Sequence, residues 1–371
     1  MRLFNPYLYE KIHLLCVFFL TLIYYIRINR SYLSSYKLLA RPQRHHLLLF
    51  SYVVAFIIVV GLRPVSFVFG DTVNYARIYE GMYGAPITVV GSEDSLFYLI
   101  MYYCAQSLDV RWFFLIIEFL YIIPIVLSCY RFLTNNYDIG ILMCFAALSF
   151  YSYSVNGIRN GAACSIVMLA MSFLIGEKKE YKLLCIILSF IAIFFHRSAA
   201  LPVLCMFVAF LIKSPKIMFY FWFLSIVLSL IAGDLISSFF ANLGVDERLT
   251  EYIESDEYSD LFSYTGFRWD FLLYSSAPVL LGYFFIFKKR VFDRTYLFLL
   301  GTYIYANSFW IMVIRSDFSN RFAYLSWFLY PIIIAYPILK LNIWPKTQPR
   351  KTANIMVAHL AFTMFMALIY W

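Results

Sequence analysis

Long apolar runs separated by short polar connections repeat along most of the chain. Runs of about 15–20 apolar residues can cross a hydrocarbon core of about 30 Å as helices, because a helix satisfies its own backbone hydrogen bonds. The pattern therefore predicts an all-α, polytopic membrane protein with about twelve transmembrane helices. These are predicted near residues 12–26, 46–62, 112–130, 139–153, 158–175, 183–195, 199–212, 217–232, 270–287, 295–313, 322–339 and 354–371.

Two long connections interrupt this pattern within a single transmembrane domain predicted over residues 1–371. Residues 63–110 form the first, and its segment Ser95–Leu108 is apolar but short, so we interpret it as an interfacial helix. Residues 233–269 form the second, which is acidic through VDERLTEYIESDEYSD. This composition is typical of a solvated loop, and a lid over a site is the alternative.

The composition supports a membrane location. Of 371 residues, 63% are apolar and only 14% are charged. A soluble globule of this size would lack the polar surface to cover itself. The seven cysteines lie in or beside apolar runs without C-x-x-C spacing, which indicates neither a disulfide framework nor a metal site.

The basic residues fall mainly on one set of alternate connections. Under the positive-inside rule this set faces the cytoplasm, and it mixes Lys and Arg freely. On the opposite, outer side, every basic residue after Lys11 is Arg. Topology would be served equally by Lys, so the exclusive use of Arg suggests a need for its planar fork, which grips phosphate or carboxylate with two hydrogen bonds.

Several of these outer arginines precede or begin a predicted helix. A helix start already carries partial positive charge, so a cation there is disfavoured unless an anion is nearby. Local acids are the alternative explanation for two of them, with Asp270 beside Arg268 and Asp317 beside Arg321. The candidate anion-binding residues on the outer side are Arg63, Arg159, Arg197, Arg268, Arg315 and Arg321.

The stretch GDTVNYARIY, which leaves the second span on the outer side, carries further candidates. Asp71 is a candidate proton acceptor, or a cap for a helix that starts at residue 72. Asn74 and Tyr75 follow on the same predicted helix as candidate substrate contacts, although tyrosines here also suit anchoring at the interface.

His196 stands at the outer end of the sixth span, in IFFHRSAALP. It is the one histidine at an outer helix junction beside Arg and Ser. An imidazole near its unperturbed pKa can accept a hydroxyl proton, so we regard His196 as a candidate general base alongside Asp71.

Four short motifs resemble the EpsG-type family of bacterial polysaccharide polymerases, which is related in role to the O-antigen polymerases called Wzy. They occur in the family's order between about residues 50 and 330, and one departure is Asn160, where the family commonly has Gln. The motifs are Gly70-Asp71-x-x-Asn74-Tyr75, Arg159 in IRNGAACSIVMLA, His196-x-Ser198-Ala199 and Arg321-x-x-Tyr324.

The resemblance implies a GT-C-like fold and a glycosyltransferase that needs neither a metal nor a nucleotide sugar as cofactor. Its substrate would be an oligosaccharide repeat unit on undecaprenyl diphosphate, at the periplasmic face of the bacterial inner membrane. A chain-length regulator and a flippase are implied as partners besides membrane lipid, and nucleic acid is not.

Three other functions remain open from the residues alone. A ligase or single-addition glycosyltransferase needs the same acceptor hydroxyl and polyprenyl leaving group. A flippase or transporter would place its polar groups near the middle of the membrane, often in paired halves, and the sequence shows neither feature. A purely structural membrane protein would leave the outer arginines unexplained.

Overall fold

The computed structural model describes residues 5–34, 46–91, 93–242, 267–315 and 319–370. Every regular element within these ranges is a helix. Six of the described segments are long and apolar enough to span a membrane, and four shorter apolar helices accompany them. The chain is therefore a multi-pass membrane protein, whereas the number of twelve spans and the GT-C-like arrangement stay predictions.

The chain divides into two compact units. The first comprises residues 1–197 and 335–371, and the second comprises residues 198–334. The helices up to the end of the first segment are α1 (Tyr9–Ser34), α2 (His46–Gly61), α3 (Thr72–Met82), α4 (Ser95–Ala105), α5 (Val110–Leu133), α6 (Tyr137–Phe145), α7 (Leu148–Val155), α8 (Ile158–Leu174) and α9 (Lys179–Phe195).

The remaining helices follow the same apolar pattern. They are α10 (Ala200–Leu211), α11 (Pro215–Asn242), α12 (Trp269–Tyr283), α13 (Arg294–Met312), α14 (Ser319–Trp327), α15 (Tyr330–Lys340) and α16 (Gln348–Phe365). Helix α11 continues through the first ten residues of the predicted acidic connection 233–269. Most of that connection, residues 243–266, lies outside the described residues.

Two predicted spans contain a break in the helix, and the second, residues 322–339, lies within the candidate membrane-spanning segment Ser319–Lys340. Residues 139–153 contain two helices, α6 and α7, which are separated at Ala146 and Ala147. Residues 322–339 likewise contain α14 and α15, separated at residues 328–329. Pro331 accounts for the second break, because it has no N–H to donate to the carbonyl four residues earlier, at Trp327.

The α6–α7 break is stabilised by side chains from two other helices. A broken helix leaves carbonyl groups without intrahelical partners, which is costly away from water. His13 Nε2 lies 3.0 Å from the Phe145 carbonyl and His359 Nε2 lies 3.0 Å from the Met143 carbonyl. Thr363 Oγ1 donates to the Ala146 carbonyl at 2.7 Å. The two histidines thus hold the irregular backbone.

Helix α8 packs against both α5 and α9 in the first unit. A glycine also lets α8 lie close to α7, because a Cβ added at Gly161 would lie 2.8 Å from the Tyr153 Cβ. The second residue of α8 is Arg159, so this packing fixes the position of the arginine relative to α5, α7 and α9.

Helices α3 and α4 lie in the connection between α2 and α5, and they pack on each other and on α5. Helix α4 has 11 residues, which gives it a length of about 16 Å at 1.5 Å per residue, too short to cross a membrane core. Gln106 Nε2, just after α4, donates to the Met82 carbonyl at the end of α3 at 2.9 Å. The two short helices bring their polar ends to the starts of α5 and α8.

The second unit is built around α13, which packs against α10, α11, α12 and α14. Two hydrogen bonds link side chains of neighbouring helices in this unit. Trp222 Nε1 on α11 donates to Asn307 Oδ1 on α13 at 2.9 Å. Trp327 Nε1 donates to Ser275 Oγ at 2.6 Å. These bonds order the side chains among the aromatic rings that fill this unit.

Candidate active site

Three ionisable side chains from distant parts of the sequence meet at one end of the first unit. Arg159 Nη1 lies 2.5 Å from Asp94 Oδ2, and His196 Nδ1 lies 3.1 Å from both Asp94 oxygens. The backbone N–H of Arg197 donates to Asp94 Oδ1 at 2.8 Å. Helix α8 supplies the arginine, the end of α9 supplies the histidine, and the turn before α4 supplies the carboxylate.

Asp94 is held in an unusual backbone conformation. Its φ is 47° and its ψ is 36°, the left-handed region, which Asp tolerates better than most residues but which still costs free energy. Although Asp94 precedes the first turn of α4, its side chain makes no capping bond. The carboxylate points instead at the arginine and the histidine, where it is 6% exposed.

Asp94 is ionised at neutral pH. Burial alone would raise the pKa of its carboxyl, but the hydrogen bond and charge of His196, the Arg159 charge and the Arg197 N–H together hold that pKa below the usual range. An ionised carboxylate can only accept hydrogen bonds. The Nδ1 of His196 therefore carries the hydrogen in this contact, and in the neutral imidazole the basic lone pair lies on Nε2.

Aromatic side chains surround the Arg159 guanidinium. Its Nε donates to the Tyr75 hydroxyl at 3.1 Å and its Nη1 to the Tyr98 hydroxyl at 3.2 Å. The guanidinium carbon lies 5.6 to 5.8 Å from the ring centres of Tyr75, Phe97 and Tyr98. Burial raises the pKa of Tyr75, so its phenol remains protonated. The arginine is thus fixed in one orientation toward Asp94.

Arg197, the residue after His196, extends its side chain into solvent. Arg197 Nη1 lies 2.7 Å from Glu93 Oε1, and the two side chains are 53% and 52% exposed. An exposed pair of this kind contributes only about 0–1 kcal/mol. Another anion could therefore replace Glu93 at the Arg197 fork at little cost.

The Gly70-Asp71 motif contacts the chain just before Arg159, at Val155 and Asn156. Gly70 has φ 60°, and a Cβ there would collide with the Asn156 side-chain oxygen. The same oxygen accepts from the Asp71 N–H at 3.0 Å. Thr72 Oγ1 donates to the Val155 carbonyl at 3.0 Å. These contacts join the start of α3 to the α7–α8 junction, a few residues before Arg159.

The other candidates in the first unit lie around this cluster. Asp71 occupies the N-cap position of α3 without a side-chain capping bond, and Tyr75 faces Arg159. Asn74 is exposed on α3. Arg63 is 1% exposed, donates to the Val60 carbonyl at 3.0 Å and lies 4.6 Å from the Phe114 ring centre.

Three candidate arginines belong to the second unit. Arg268 forms a two-bond pair with Asp270, at 2.9 Å and 2.6 Å, as the local-acid alternative expected. Arg315 follows α13 and packs against Gly233, and Arg321 lies in the first turn of α14. Asp317, the acid proposed beside Arg321, lies outside the described residues.

Sequence reasoning did not single out Asp94 or Glu93. Both stand in the polar turn before α4 and belong to none of the motifs above. The only signal in the sequence was two adjacent acids directly before an apolar segment on the arginine-rich side. Of the described residues, no three His, Cys, Asp or Glu side chains are grouped so that they could hold a metal ion.

The cluster has the parts needed for acid–base chemistry beside an anion. A carboxylate orients an imidazole whose second nitrogen can accept a proton, and a half-exposed arginine stands next to it.

Comparisons of the chain with curated proteins and with solved structures return no match. A family model described as the EpsG family matches residues 46–371, which includes all of the residues that form the cluster. The chain therefore belongs to the EpsG family of Wzy-like polysaccharide polymerases.

Proposed function

We propose that this protein polymerises oligosaccharide repeat units carried on undecaprenyl diphosphate, at the periplasmic face of the bacterial inner membrane. The observation that carries the proposal is the Asp94–His196 pair with Arg159 and Arg197 beside it. A hydroxyl-activating base next to a cation suits a reaction in which a sugar hydroxyl displaces a lipid diphosphate.

His196 is the proposed base in this reaction. Asp94 holds Nδ1, so Nε2 is the atom that takes the proton from the acceptor hydroxyl. The hydroxyl oxygen then attacks the anomeric carbon of the growing chain. The bond from that carbon to the diphosphate oxygen breaks, and undecaprenyl diphosphate leaves with the electron pair. Direct displacement inverts the anomeric carbon.

Arg197 is the proposed contact for the leaving diphosphate in the first unit. Its fork is half-exposed, and the phosphate oxygens would replace Glu93 as its partner. Arg159, buried against Asp94, acts as a positioning residue that fixes the carboxylate and hence the imidazole. Asn74 and Tyr75 are proposed contacts or supports for the sugar on this side.

Arg268, Arg315 and Arg321 are proposed as anion contacts within the second unit. Arg63 is proposed as a buried support at the end of α2 in the first unit, where it donates to the Val60 carbonyl. Asp71 remains the alternative base. The family resemblance also implies a chain-length regulator and a flippase as partners.

A genetic test is the size distribution of the host's surface glycan on a gel. The gene is deleted and restored as wild type, His196→Ala or Asp71→Asn, with protein levels checked by immunoblot. We expect deletion to reduce the ladder to a single repeat unit, and His196→Ala at normal protein level to fail to restore it. A restored ladder with Asp71→Asn assigns the base to His196.

An unchanged ladder after deletion would refute polymerisation of that glycan. Loss of even the single repeat unit would indicate an earlier transferase, a flippase or a ligase instead.

A further inference from the structure

An apolar groove runs along the outside of the first unit directly beside the charged cluster. It has a volume of about 630 Å³ and lies between α4 and the second half of α9. Leu96 and Leu99 line one wall, and Ile187, Phe190 and Phe194 line the other. The volume falls within the range of about 300–1,000 Å³ that is typical of small-molecule sites.

The lining follows one face of α9. Positions 187, 190 and 194 are spaced three and four apart, so their side chains form a continuous stripe. Ile187, Phe190 and Phe194 are 44%, 58% and 56% exposed. Ile187 and Phe194 are seven positions apart, which corresponds to about 10 Å along the helix axis. The groove is therefore an open channel on an exposed apolar surface of α9, and not a closed cavity.

One end of the groove adjoins the cluster. Phe194 precedes His196 by two residues, and Ser95 directly follows Asp94. Gly91 also lines this end, close to Glu93. A molecule lying in the groove would have its apolar part against α9 and its other end beside the Arg197 fork. This combination fits an amphiphile with one long apolar chain and an anionic head.

We propose that this groove holds the isoprenoid chain of a polyprenyl diphosphate, with its first isoprene units between α4 and α9 and its diphosphate at Arg197. The inference rests on the proposed function, which requires a lipid-linked diphosphate at the cluster. It adds the path of the lipid: the chain descends along α9 from Phe194 toward Ile187, so that the anomeric carbon is presented to His196.

The test uses the full-length protein in nanodiscs that contain phosphatidylethanolamine and phosphatidylglycerol. The probe is undecaprenyl diphosphate with a photoreactive diazirine in one of its first three isoprene units. After irradiation, cross-linked peptides are identified by mass spectrometry. We expect adducts in residues 87–91, 95–99 and 187–194, and competition by unlabelled undecaprenyl diphosphate but not by added phosphatidylglycerol.

Two neighbouring isoleucines supply a matched pair of variants. Ile186 and Ile187 are 46% and 44% exposed, but only Ile187 lines the groove. Ile187→Trp fills the channel and should lower the adduct yield about tenfold, because overfilling costs roughly the free energy of one decade in affinity. Ile186→Trp places the same ring on α9 outside the groove and should leave the yield unchanged.

The outcomes separate this inference from the proposed function. Adducts outside these segments, equal competition by phosphatidylglycerol, or equal effects of the two Trp variants would overturn the groove as the polyprenyl site. If the glycan ladder still depended on His196 in that case, the proposed function would stand without the groove. Specific adducts in the groove with a ladder that is indifferent to deletion would support a polyprenyl site in a protein of another activity.

Discussion

Replacing Asp94 by Asn isolates the role of its charge. Asn has nearly the same shape and can still accept hydrogen bonds, but it cannot balance Arg159 or hold His196 through an ionised carboxylate. Glu93→Gln is the matched control, because it is the same chemical change in the adjacent residue and also removes an acid that is paired with an arginine. The two pairs differ in burial: Asp94 and Arg159 are 6% and 12% exposed, whereas Glu93 and Arg197 are 52% and 53% exposed.

The expected magnitudes follow from this difference in exposure. Asp94 accepts hydrogen bonds from Arg159, His196 and the Arg197 backbone. A hydrogen bond to a charged group contributes about 1.5–3 kcal/mol against about 0.5–1.5 for a neutral one, so neutralising three bonds costs about 3 kcal/mol. Removal of one partner from a buried ion pair costs about 3–5 kcal/mol, which agrees. Neutralising the exposed Glu93 should cost about 0–1 kcal/mol.

The assay is the free energy of unfolding in detergent, measured by denaturant titration for wild type and both variants. Asp94→Asn should be destabilised by about 3 kcal/mol, and Glu93→Gln by less than about 1 kcal/mol. Equal losses in the two variants, or a loss below about 1 kcal/mol in Asp94→Asn, would refute the interpretation of the cluster as a buried, charge-balanced unit.

Three further predictions concern the same end of the first unit. Gly70→Ala should lower the free energy of unfolding by about 1–3 kcal/mol, because Gly70 has a positive φ. Gly81→Ala should be neutral or slightly stabilising, because Gly81 lies inside α3 with open space around it. Equal effects of the two substitutions would contradict this explanation. Arg159→Lys keeps the charge but loses the planar guanidinium, so the glycan ladder should shorten at normal protein level. Arg131→Lys, the same change in the last turn of α5, should leave the ladder unchanged. A full ladder with Arg159→Lys would remove that residue from the mechanism. Because the folded-state pKa of Asp94 is lowered, its stabilisation is complete above the unfolded value near 4 and is lost as the pH falls through the lower folded value. The stability gap between wild type and Asp94→Asn should therefore shrink below about pH 4, and a gap that closes above about pH 5 would contradict the lowered pKa.

The sequence alone identified several residues of the cluster. His196 and Arg159 were selected because each lies where a predicted apolar span ends or begins, and Tyr75 was selected as part of the GDTVNYARIY stretch that follows the second predicted span. Helix α9 ends at Phe195 and α8 begins at Ile158, so the predicted junctions lie where the structure has them. Charge within an apolar run is a strong signal because its burial is costly without a partner.

The carboxylate that joins these residues could not be found in the same way. Asp94 lies in a polar turn, where an acid is ordinary, and its importance comes from a left-handed backbone and a packing arrangement that no local pattern encodes. Asp71 drew attention because it follows a glycine at a predicted helix start. In the structure, Gly70 serves the close approach of Asn156 to the backbone.

The hydropathy pattern also did not predict the helix break within the apolar residues 139–153. Ala146 and Ala147 separate α6 from α7, yet alanine is a strong helix former and leaves no signal in the local pattern. The break is stabilised by His13 and His359, which are distant in sequence. Tertiary contacts of this kind override local propensity, so a single-sequence pattern could not predict them.

The most direct test of the central claim is polymerisation by the purified protein. Wild type and His196→Ala are reconstituted in liposomes with the host's undecaprenyl-diphosphate-linked repeat unit, and the products are sized by mass spectrometry. We expect glycans of two or more repeats together with free undecaprenyl diphosphate from wild type, and neither product from His196→Ala. Equal polymer formation by both proteins would contradict the assignment of the Asp94–His196 cluster as the catalytic site.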